Sequence, residues 1–337
     1  MLNELETLPE GLLEAEVAEL EALLGGPTLI HLQGRRSEPL FVTVLAHGNE
    51  DTGFYAVQAL LRDYRERELP RSLSLLIGNV AAARQGLRRL DDQLDYNRIW
   101  PGTEHADAPE VRMMRRVVDT MRERQVFASI DVHNNSGINP HYACMNRIDN
   151  QFLHLASLFS RTVVYFIRPL GVQSMAMSHL CPAVTIECGK SSHQYGVEHA
   201  RDYIEACLKQ NELSQEPVPS HDVDLYHTVA TVKIPDHVSF GFSDDSADLR
   251  LIDGIDHLNF RELPAGTQLG WLQGGHSLQL DVRDENGKPV QDRYFAINKS
   301  ALVTTRPFMP SMFTLDERII RQDCLGYLME RLLPESV

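Results

Sequence analysis

Residues 40–53 read LFVTVLAHGNEDTG, and this stretch decides the fold. An apolar run rich in β-branched residues ends at His47, and a helical pattern begins near Gly53. Such runs are typical of buried strands, so we expect His47 where a strand ends and Glu50 where a helix begins. Imidazole nitrogen and carboxylate oxygen both bind zinc, so the two side chains could share one ion. A helix that simply carries acidic residues in its first turn would explain Glu50 as well.

Strands and helices alternate through the first two thirds of the chain. The patterns predict strands at 28–33, 40–46, 72–80, 127–132, 142–146, 163–167 and 183–188, and helices at 10–24, 53–68, 109–125, 149–160 and 195–211. This alternation indicates an α/β fold with a mixed, largely parallel sheet that is flanked by helices. Ligands of such folds bind at the C-terminal ends of the strands.

The pattern changes near residues 212–222, where prolines and polar residues indicate a linker. Short alternating segments follow at 226–234, 257–261, 268–272, 277–282 and 293–297, with turns at Asn286-Gly287 and Gly274-Gly275 and a helical tail at 315–333. We therefore expect a catalytic α/β domain at 1–215 and a small β-rich C-terminal domain at 220–337 that caps the site.

Composition narrows the class of protein. The chain has 337 residues, which suggests about two domains, and a net charge of −15, which argues against nucleic acid as a partner. We find no signal peptide and no apolar run of roughly 18 residues that could cross a membrane. The five cysteines are an odd number without a C-x-x-C pair, which favours reduced thiols and a cytoplasmic location.

A second histidine follows a second predicted strand. The segment ASIDVH ends in His133, and the C-terminal ends of two strands in one parallel sheet can bring His133 and His47 together. With Glu50 they would form a set of three ligands that leaves a coordination position open, as catalytic zinc sites do. Asp131 could orient the imidazole of His133, or it could be an ordinary polar residue at a strand end.

Glu187 lies in PAVTIECG, in a run that should be buried. Glutamate is almost never fully buried unless it is paired, and a partly desolvated carboxylate has a raised pKa. A glutamate at a strand end near a metal is suited to act as a general base. A buried salt bridge is the alternative.

The loop at 84–102 concentrates arginines in an otherwise acidic chain. Guanidinium groups bind carboxylates through paired hydrogen bonds, and Asn97 beside Arg98 could bind the same group. Arg88 or Arg89 could instead hold the oxyanion of a reacting carbonyl. A solvated loop with salt bridges to its own aspartates, Asp91, Asp92 and Asp95, would need no such role.

Together these motifs resemble the succinylglutamate desuccinylase/aspartoacylase family, part of the zinc carboxypeptidase-like superfamily. The motifs are H-G-N-E at 47–50, D-x-N-R at 95–98, D-x-H at 131–133 and T-I-E-x-G at 185–189, with a weaker likeness at 258–260. The resemblance implies one Zn²⁺ per chain on His47, Glu50 and His133, and Glu187 as general base and proton shuttle. It also implies that Asn97 and Arg98 bind the substrate carboxylate and that Arg89 or Arg88 stabilises the oxyanion, with Arg89 preferred.

The resemblance implies a zinc-dependent amidohydrolase that acts on a small anionic N-acyl amino acid. Relatives carry a small, threonine-rich sequence after the third ligand, whereas this chain has Asn134 and Asn135, and Asn134 could contact a polar acyl group. A zinc carboxypeptidase acting on short peptides or peptidoglycan fragments is the nearest alternative. A non-catalytic metal-binding protein and a cysteine hydrolase fit less well. A homo-oligomer is compatible with the sequence, and neither nucleic acid nor a membrane is an expected partner.

Overall fold

The computed structural model describes residues 2–191, 193–243, 246–273 and 279–332, which form two compact units. The first unit contains residues 2–134 and 141–225. The second contains residues 135–140 together with the described residues after 225. A short internal stretch of the chain therefore groups with the C-terminal part.

A mixed, largely parallel sheet forms the first unit, as the sequence predicts. Its strands are β1 Asn3–Leu5, β2 Thr28–Leu32, β3 Leu40–Val44, β4 Leu73–Ile77, β5 Ala128–His133, β6 Tyr142–Met145, β7 Thr162–Tyr165 and β8 Ala183–Glu187. Their spatial order is β1-β2-β4-β3-β5-β8-β6-β7. In this order the β2/β4 and β6/β8 pairs are antiparallel and the others are parallel. Strands β3, β5 and β8 are buried along their whole length, so the polar side chains of β5, which are Ser129, Asp131 and His133, also lie in the interior.

Helices flank this sheet. They are α1 Leu20–Leu24, α2 Thr52–Asp63, α3 Val80–Ala83, α4 Pro109–Glu123, α5 Asn150–Ser157, α6 Gln173–Met177 and α7 Gln194–Lys209, with short 3-10 turns at Val17–Glu19 and Tyr96–Arg98. Pro109 occupies the first turn of α4, where its missing N–H has no helical partner to lose.

The helix predicted at 10–24 forms only from Val17 onward. Gly11 has a φ of 83°, a left-handed conformation that a continuous helix does not contain. Gln58 on α2 donates to the carbonyls of Leu12 and Ala15, and Arg62 donates to that of Leu13. These tertiary hydrogen bonds satisfy backbone groups that a helix would have used, so the segment packs as turns.

The second unit is built from two groups of strands. One contains β9 Asp224–Lys233, β13 Asp281–Asp284, β16 Met309–Ser311 and β17 Gly326–Arg331. The other is a five-stranded sheet of β10 Phe240–Gly241, β11 Leu249–Leu251, β12 Gln268–Leu272, β14 Phe295–Asn298 and β15 Ala301–Thr304. The helices here are α8 Gln291–Tyr294 and α9 Glu317–Gln322.

Three expectations for this unit were wrong in detail. The strand predicted at 257–261 is a 3-10 turn at Ile255–Leu258, and the segment at 293–297 begins as α8 before it extends into β14. The tail at 315–333 is helical only at α9 and continues as β17, because that segment pairs with both β9 and β16. Asn286-Gly287 does form a turn, with Gly287 at a φ of 77°, whereas the turn predicted at Gly274-Gly275 lies outside the described residues.

Among the described residues we find no helix with the length and apolar character that crossing a bilayer requires.

Candidate active site

The turn after β3 is shaped by close backbone packing. Leu45 has a φ of 56°, which bends the chain out of the strand just before His47. A Cβ added to Gly48 would lie 2.2 Å from the backbone nitrogen of Ala83 in α3, so glycine alone fits there. The Gly48 N–H donates to the carbonyl of Arg88 at 3.1 Å. The turn that carries His47 and Glu50 is therefore held against α3 and the arginine-rich loop.

His47, Glu50 and His133 converge at the C-terminal ends of β3 and β5. His47 Nδ1 lies 2.8 Å from Glu50 Oε1, and His133 Nδ1 lies 2.8 Å from Glu50 Oε2. All three side chains are buried, and one ligand atom from each lies within 4.8 Å of the others. In the described part of the chain, this is the one group of three or more such side chains that could hold a metal ion.

An aspartate holds the far nitrogen of each imidazole. His133 Nε2 lies 3.0 Å from Asp131 Oδ2, so Asp131 orients His133 rather than serving as an ordinary strand-end residue. His47 Nε2 lies 3.0 Å from Asp95 Oδ1. A carboxylate on the second nitrogen of a ligand histidine fixes the tautomer that leaves Nδ1 free to bind metal. Sequence reasoning treated Asp95 only as a loop acid, although it stands at the head of the D-x-N-R motif.

The charges around this group fit a divalent cation. Burial lowers the pKa of His133, but Asp131 and Glu50 outweigh it and raise that pKa well above the usual value. Burial likewise opposes ionisation of Glu50, and the two imidazoles nevertheless hold its pKa far below the usual value. Buried carboxylates thus draw protons onto the histidines, and a metal ion would take the place of those protons. Two imidazoles and a carboxylate are a common zinc-binding set.

Glu187 lies beside the candidate metal ligands. In the parallel register of β5 and β8, His133 and Glu187 are direct partners, so their side chains point to the same face of the sheet. Glu187 is only 5% exposed. Burial raises its pKa to about 8, and the nearby Glu50 carboxylate contributes in the same direction while His133 opposes it. A carboxylate in such surroundings can accept and release a proton near neutral pH.

The loop places the two candidate arginines differently. Arg88 Nη2 donates to Asp95 Oδ2 at 3.1 Å, and its Nη1 lies 3.9 Å from Glu50 Oε1. Arg89 instead donates to the backbone carbonyls of Leu90 and Gln93. These contacts favour Arg88 over the preferred Arg89 as the residue that faces the reacting group, because Arg89 is used to hold the loop together.

Asn97 and Arg98 lie in the 3-10 turn whose N-terminus Asp95 caps, with Asp95 Oδ1 accepting from the Asn97 N–H at 2.8 Å. The amide oxygen of Asn97 is buried without a hydrogen-bond partner in the described part of the protein. The carbonyl of Arg98 accepts from Thr103 Oγ1 at 2.5 Å. The Nη1 atom of Arg98 donates to the carbonyl of Asn97 at 2.8 Å. The turn thus presents an amide and a guanidinium side by side.

Asn134 was expected to contact the acyl group, but its side chain is already used within the protein. Its Nδ2 donates to the carbonyl of Gly189 at 2.9 Å, and its Oδ1 accepts from the backbone N–H of Thr52 at 3.3 Å. Asn134 therefore ties the end of β8 to the start of α2, and its contact with the acyl group stays a prediction.

Comparison with known proteins provides independent evidence for the family and the fold of the chain. Residues 39–208, about half of the chain, match the family model of the succinylglutamate desuccinylase/aspartoacylase catalytic domain. No curated protein sequence matches the chain. Among solved structures, the succinylglutamate desuccinylase of Chromobacterium violaceum is similar with a TM-score of 0.57 and 17% identity, over 89% of this chain and 87% of that one. Murine aminoacylase 3 is similar with a TM-score of 0.58 and 15% identity, over 88% of this chain and 96% of that one.

The structural likeness at such low identity concerns the fold, whereas the family assignment comes from the match over residues 39–208. That match spans the turn with His47 and Glu50, the loop with Arg88, and the ends of β5 and β8. The chain therefore belongs to the succinylglutamate desuccinylase/aspartoacylase family of hydrolases.

Proposed function

We propose that the protein is a zinc-dependent hydrolase that cleaves the amide bond of a small, anionic N-acyl amino acid. The observation that carries this proposal is the buried group of His47, Glu50 and His133 with Glu187 in register beside it. A structural zinc site would be closed by a fourth protein ligand, whereas this set has three ligands and an adjacent carboxylate.

His47, Glu50 and His133 would hold the zinc ion, and the Nδ1 atoms of both imidazoles face Glu50. When bound, the ion supplies a Lewis acid that polarises the amide carbonyl and increases the acidity of water. Asp95 and Asp131 accept hydrogen bonds from the Nε2–H groups and keep both rings in this orientation.

Glu187 acts as the general base. It removes a proton from the attacking water and then gives a proton to the leaving nitrogen, so one carboxyl group serves both halves of the reaction. Its buried position supports this role, because a poorly solvated carboxylate accepts a proton more readily than an exposed one.

Arg88 stabilises the negative charge that develops on the carbonyl oxygen. Its guanidinium is held by Asp95 and lies near Glu50, so it is pre-oriented in a largely buried setting where charge interactions are strong. Asn97 and Arg98 bind the substrate carboxylate, which fixes the amide relative to Glu187. A local set of arginines is needed for this, since the chain as a whole carries a net charge of −15.

The wider expectations from the sequence remain predictions. They are a second unit that narrows the mouth of the site so that small substrates enter and long peptides do not, a cytoplasmic location, and a homo-oligomer.

The test is release of free amine from a panel of amides by the zinc-loaded protein. The panel contains N-succinylglutamate, N-acetylaspartate, other N-acyl amino acids and short peptides with free C-termini. We expect rapid release from at least one N-acyl amino acid and its loss after chelation, with recovery on adding zinc. Release only from the peptides would favour the carboxypeptidase alternative instead.

The variant His133→Ala tests whether His133 binds the metal. We expect its zinc content to fall sharply after dialysis against a weak chelator, since two remaining ligands hold the ion poorly. Full zinc occupancy in His133→Ala would remove His133 from the ligand set.

A further inference from the structure

Asp95 receives hydrogen bonds from three separate parts of the candidate site. Its Oδ1 lies 3.0 Å from His47 Nε2 and accepts from the Asn97 N–H at 2.8 Å. Its Oδ2 accepts from Arg88 Nη2 at 3.1 Å. Its backbone carbonyl also accepts from the Arg98 N–H at 2.8 Å. The side chain is only 10% exposed, so water cannot readily replace these partners.

The same loop is fixed to the metal-binding turn at a second point. The carbonyl of Arg88 accepts from the N–H of Gly48, which lies next to His47. Arg88 is thus held at its backbone by this turn and at its guanidinium by Asp95. The loop at 88–98 is therefore attached to the His47 turn at two points, the Arg88 carbonyl and the Asp95 carboxylate.

We propose that Asp95 is a positioning residue that couples zinc binding at His47 to the order of the substrate-binding loop at 88–98. This inference rests on the proposed function, because it assigns that loop to the substrate and that histidine to the metal. A zinc ion on Nδ1 would fix the ring of His47, and the Nε2 atom of this ring lies 3.0 Å from Asp95 Oδ1. The carboxylate fixed in this way holds Arg88 and the turn of Asn97 and Arg98 ready for the substrate.

Asp131 provides the matched comparison. It also accepts from the Nε2 of a ligand histidine at 3.0 Å, and it is buried. Its other oxygen, Oδ1, has no hydrogen-bond partner among the residues that the structure describes. Asp131 therefore contacts a candidate ligand as Asp95 does, but within the described part of the chain its carboxylate makes no hydrogen bond to the loop.

Replacing each aspartate by asparagine separates two roles, which are the orientation of a histidine and the attachment of the loop. An amide has one acceptor oxygen where a carboxylate has two, and every partner of the Asp95 side chain is a donor. The Asp95→Asn substitution would leave either Arg88 or the pair of His47 and Asn97 facing an NH₂ group. Asp131→Asn can keep its oxygen on His133 and place the NH₂ group where the structure describes no donor, so it loses the charge alone.

The experiment measures zinc affinity and loop protection in the full-length wild type, Asp95→Asn and Asp131→Asn. Zinc affinity is determined by competition with a chromophoric chelator, and amide hydrogen exchange of residues 88–98 is followed with and without zinc. We expect both variants to bind zinc about 10- to 100-fold more weakly, as loss of a partner of a ligand histidine usually causes. At saturating zinc, exchange in the loop should slow in wild type and Asp131→Asn but not in Asp95→Asn.

Kinetics give the second readout, with the best substrate of the panel and saturating zinc. We expect KM to rise about tenfold or more in Asp95→Asn, since a charge-assisted hydrogen bond to Arg88 is lost, and to rise clearly less in Asp131→Asn. Asp95→Glu keeps the charge and both acceptor oxygens and should recover much of the loop protection, which also covers the case that Asp95→Asn fails to fold.

The outcomes separate the two proposals. Zinc-dependent loop protection in Asp95→Asn equal to that of wild type would overturn the coupling and leave the proposed function intact. An equal rise of KM in both variants would also overturn it. A wild-type protein that binds no zinc would overturn the proposed function and the coupling together. Loss of loop protection confined to Asp95→Asn would support the coupling even if no compound of the panel were cleaved.

Discussion

Glu187 is the residue at which catalysis can be separated from metal binding. Glu187→Gln keeps the size of the side chain and removes its ability to take a proton. Because Glu187 is not among the candidate ligands, we expect zinc content to stay near wild type while kcat falls by about 10²- to 10⁴-fold. Metal analysis and steady-state kinetics on the same sample check both halves. Near-normal turnover would exclude Glu187 as the base.

A second prediction concerns the two neighbouring arginines, Arg88 and Arg89. Arg88→Ala removes a guanidinium that contacts Asp95 and lies near Glu50, so we expect kcat/KM to fall by about 10²-fold or more. Arg89→Ala removes hydrogen bonds to loop carbonyls, so we expect a loss of less than about tenfold together with lower thermal stability. Steady-state kinetics and thermal unfolding of both variants test this, and the reverse order of kcat/KM would assign the catalytic role to Arg89.

At the residue scale, the sequence indicates the candidate ligands of the metal better than the residues that would orient them. His47, Glu50 and His133 stand at the ends of recognisable strands, and strand ends converge in a parallel sheet. Asp95 lies in a loop without periodicity, 48 residues from His47, and the same sequence is compatible with simple salt bridges inside the loop. The choice between Arg88 and Arg89 also needs the direction of each side chain, which spacing along a loop does not determine.

At the scale of elements, a pair of histidines joins α7 to the start of β6. His141 Nδ1 lies 2.7 Å from His199 Nδ1, and the planes of the two rings are inclined by 11° to each other. Phe159 stacks on His199 with ring centroids 4.3 Å apart. One nitrogen must donate and the other accept, so the contact is lost when both rings are fully protonated.

This pair predicts acid sensitivity. Burial lowers the pKa of His141, and the charge of His199 lowers it further; burial also lowers the pKa of His199, although the Phe159 backbone and Asp202 oppose this. Because these folded-state values lie below the unfolded value of about 6.5, the folded state binds fewer protons and stability falls as pH drops below 6.5. The loss should stay below about 1 kcal/mol, since both rings are only partly buried and water screens them.

Urea unfolding of the chelated protein at pH 7 and pH 5 tests this. His199→Gln should lose less stability between the two pH values than wild type does. The control is His221→Gln, because the side chain of His221 is 82% exposed and should leave the pH dependence unchanged. An acid-induced loss as large in His199→Gln as in wild type would contradict the prediction.

Local sequence patterns predict helices and strands well where burial alone determines which residues are apolar. Strands β3 and β8 are recognisable because both of their faces are covered, which makes their sequences mostly apolar. In β5, which is buried as well, apolar residues alternate with Ser129, Asp131 and His133. The helix expected at 10–24 and the helical tail at 315–333 fail for a different reason. In the segment at 10–24, side chains of α2 bind the backbone carbonyls. In the tail, the last residues pair as β17 with both β9 and β16. Partners that are distant in the chain therefore override the local preference for helix.

At the scale of the whole molecule, the stretch at 135–140 is the feature that no sequence pattern indicates. It follows the ligand strand β5 directly, yet it groups with the second unit. Met312 holds it at both ends: Asn135 Nδ2 donates to Met312 Sδ at 3.2 Å, and Asn139 Oδ1 accepts from the Met312 N–H at 3.1 Å. These partners are more than 170 positions apart in the chain, so their pairing cannot be read from local composition.

Gly137 lies at the tightest point of this packing and gives the last prediction. A Cβ added there would lie 1.8 Å from the carbonyl oxygen of Phe313, whose N–H and carbonyl are both bound by the side chain of Asn259. Neither backbone can move away cheaply, so Gly137→Ala should destabilise the protein by about 1–3 kcal/mol, as overpacking usually does. Because the stretch follows His133 within a few residues, zinc affinity should fall as well. Gly254→Ala is the control, since the nearest atom to its new Cβ is the ring of His257 at 3.7 Å. Urea unfolding and chelator competition on both variants test this, and wild-type zinc affinity in a clearly destabilised Gly137→Ala would mean that the packing of residues 135–140 does not affect His133.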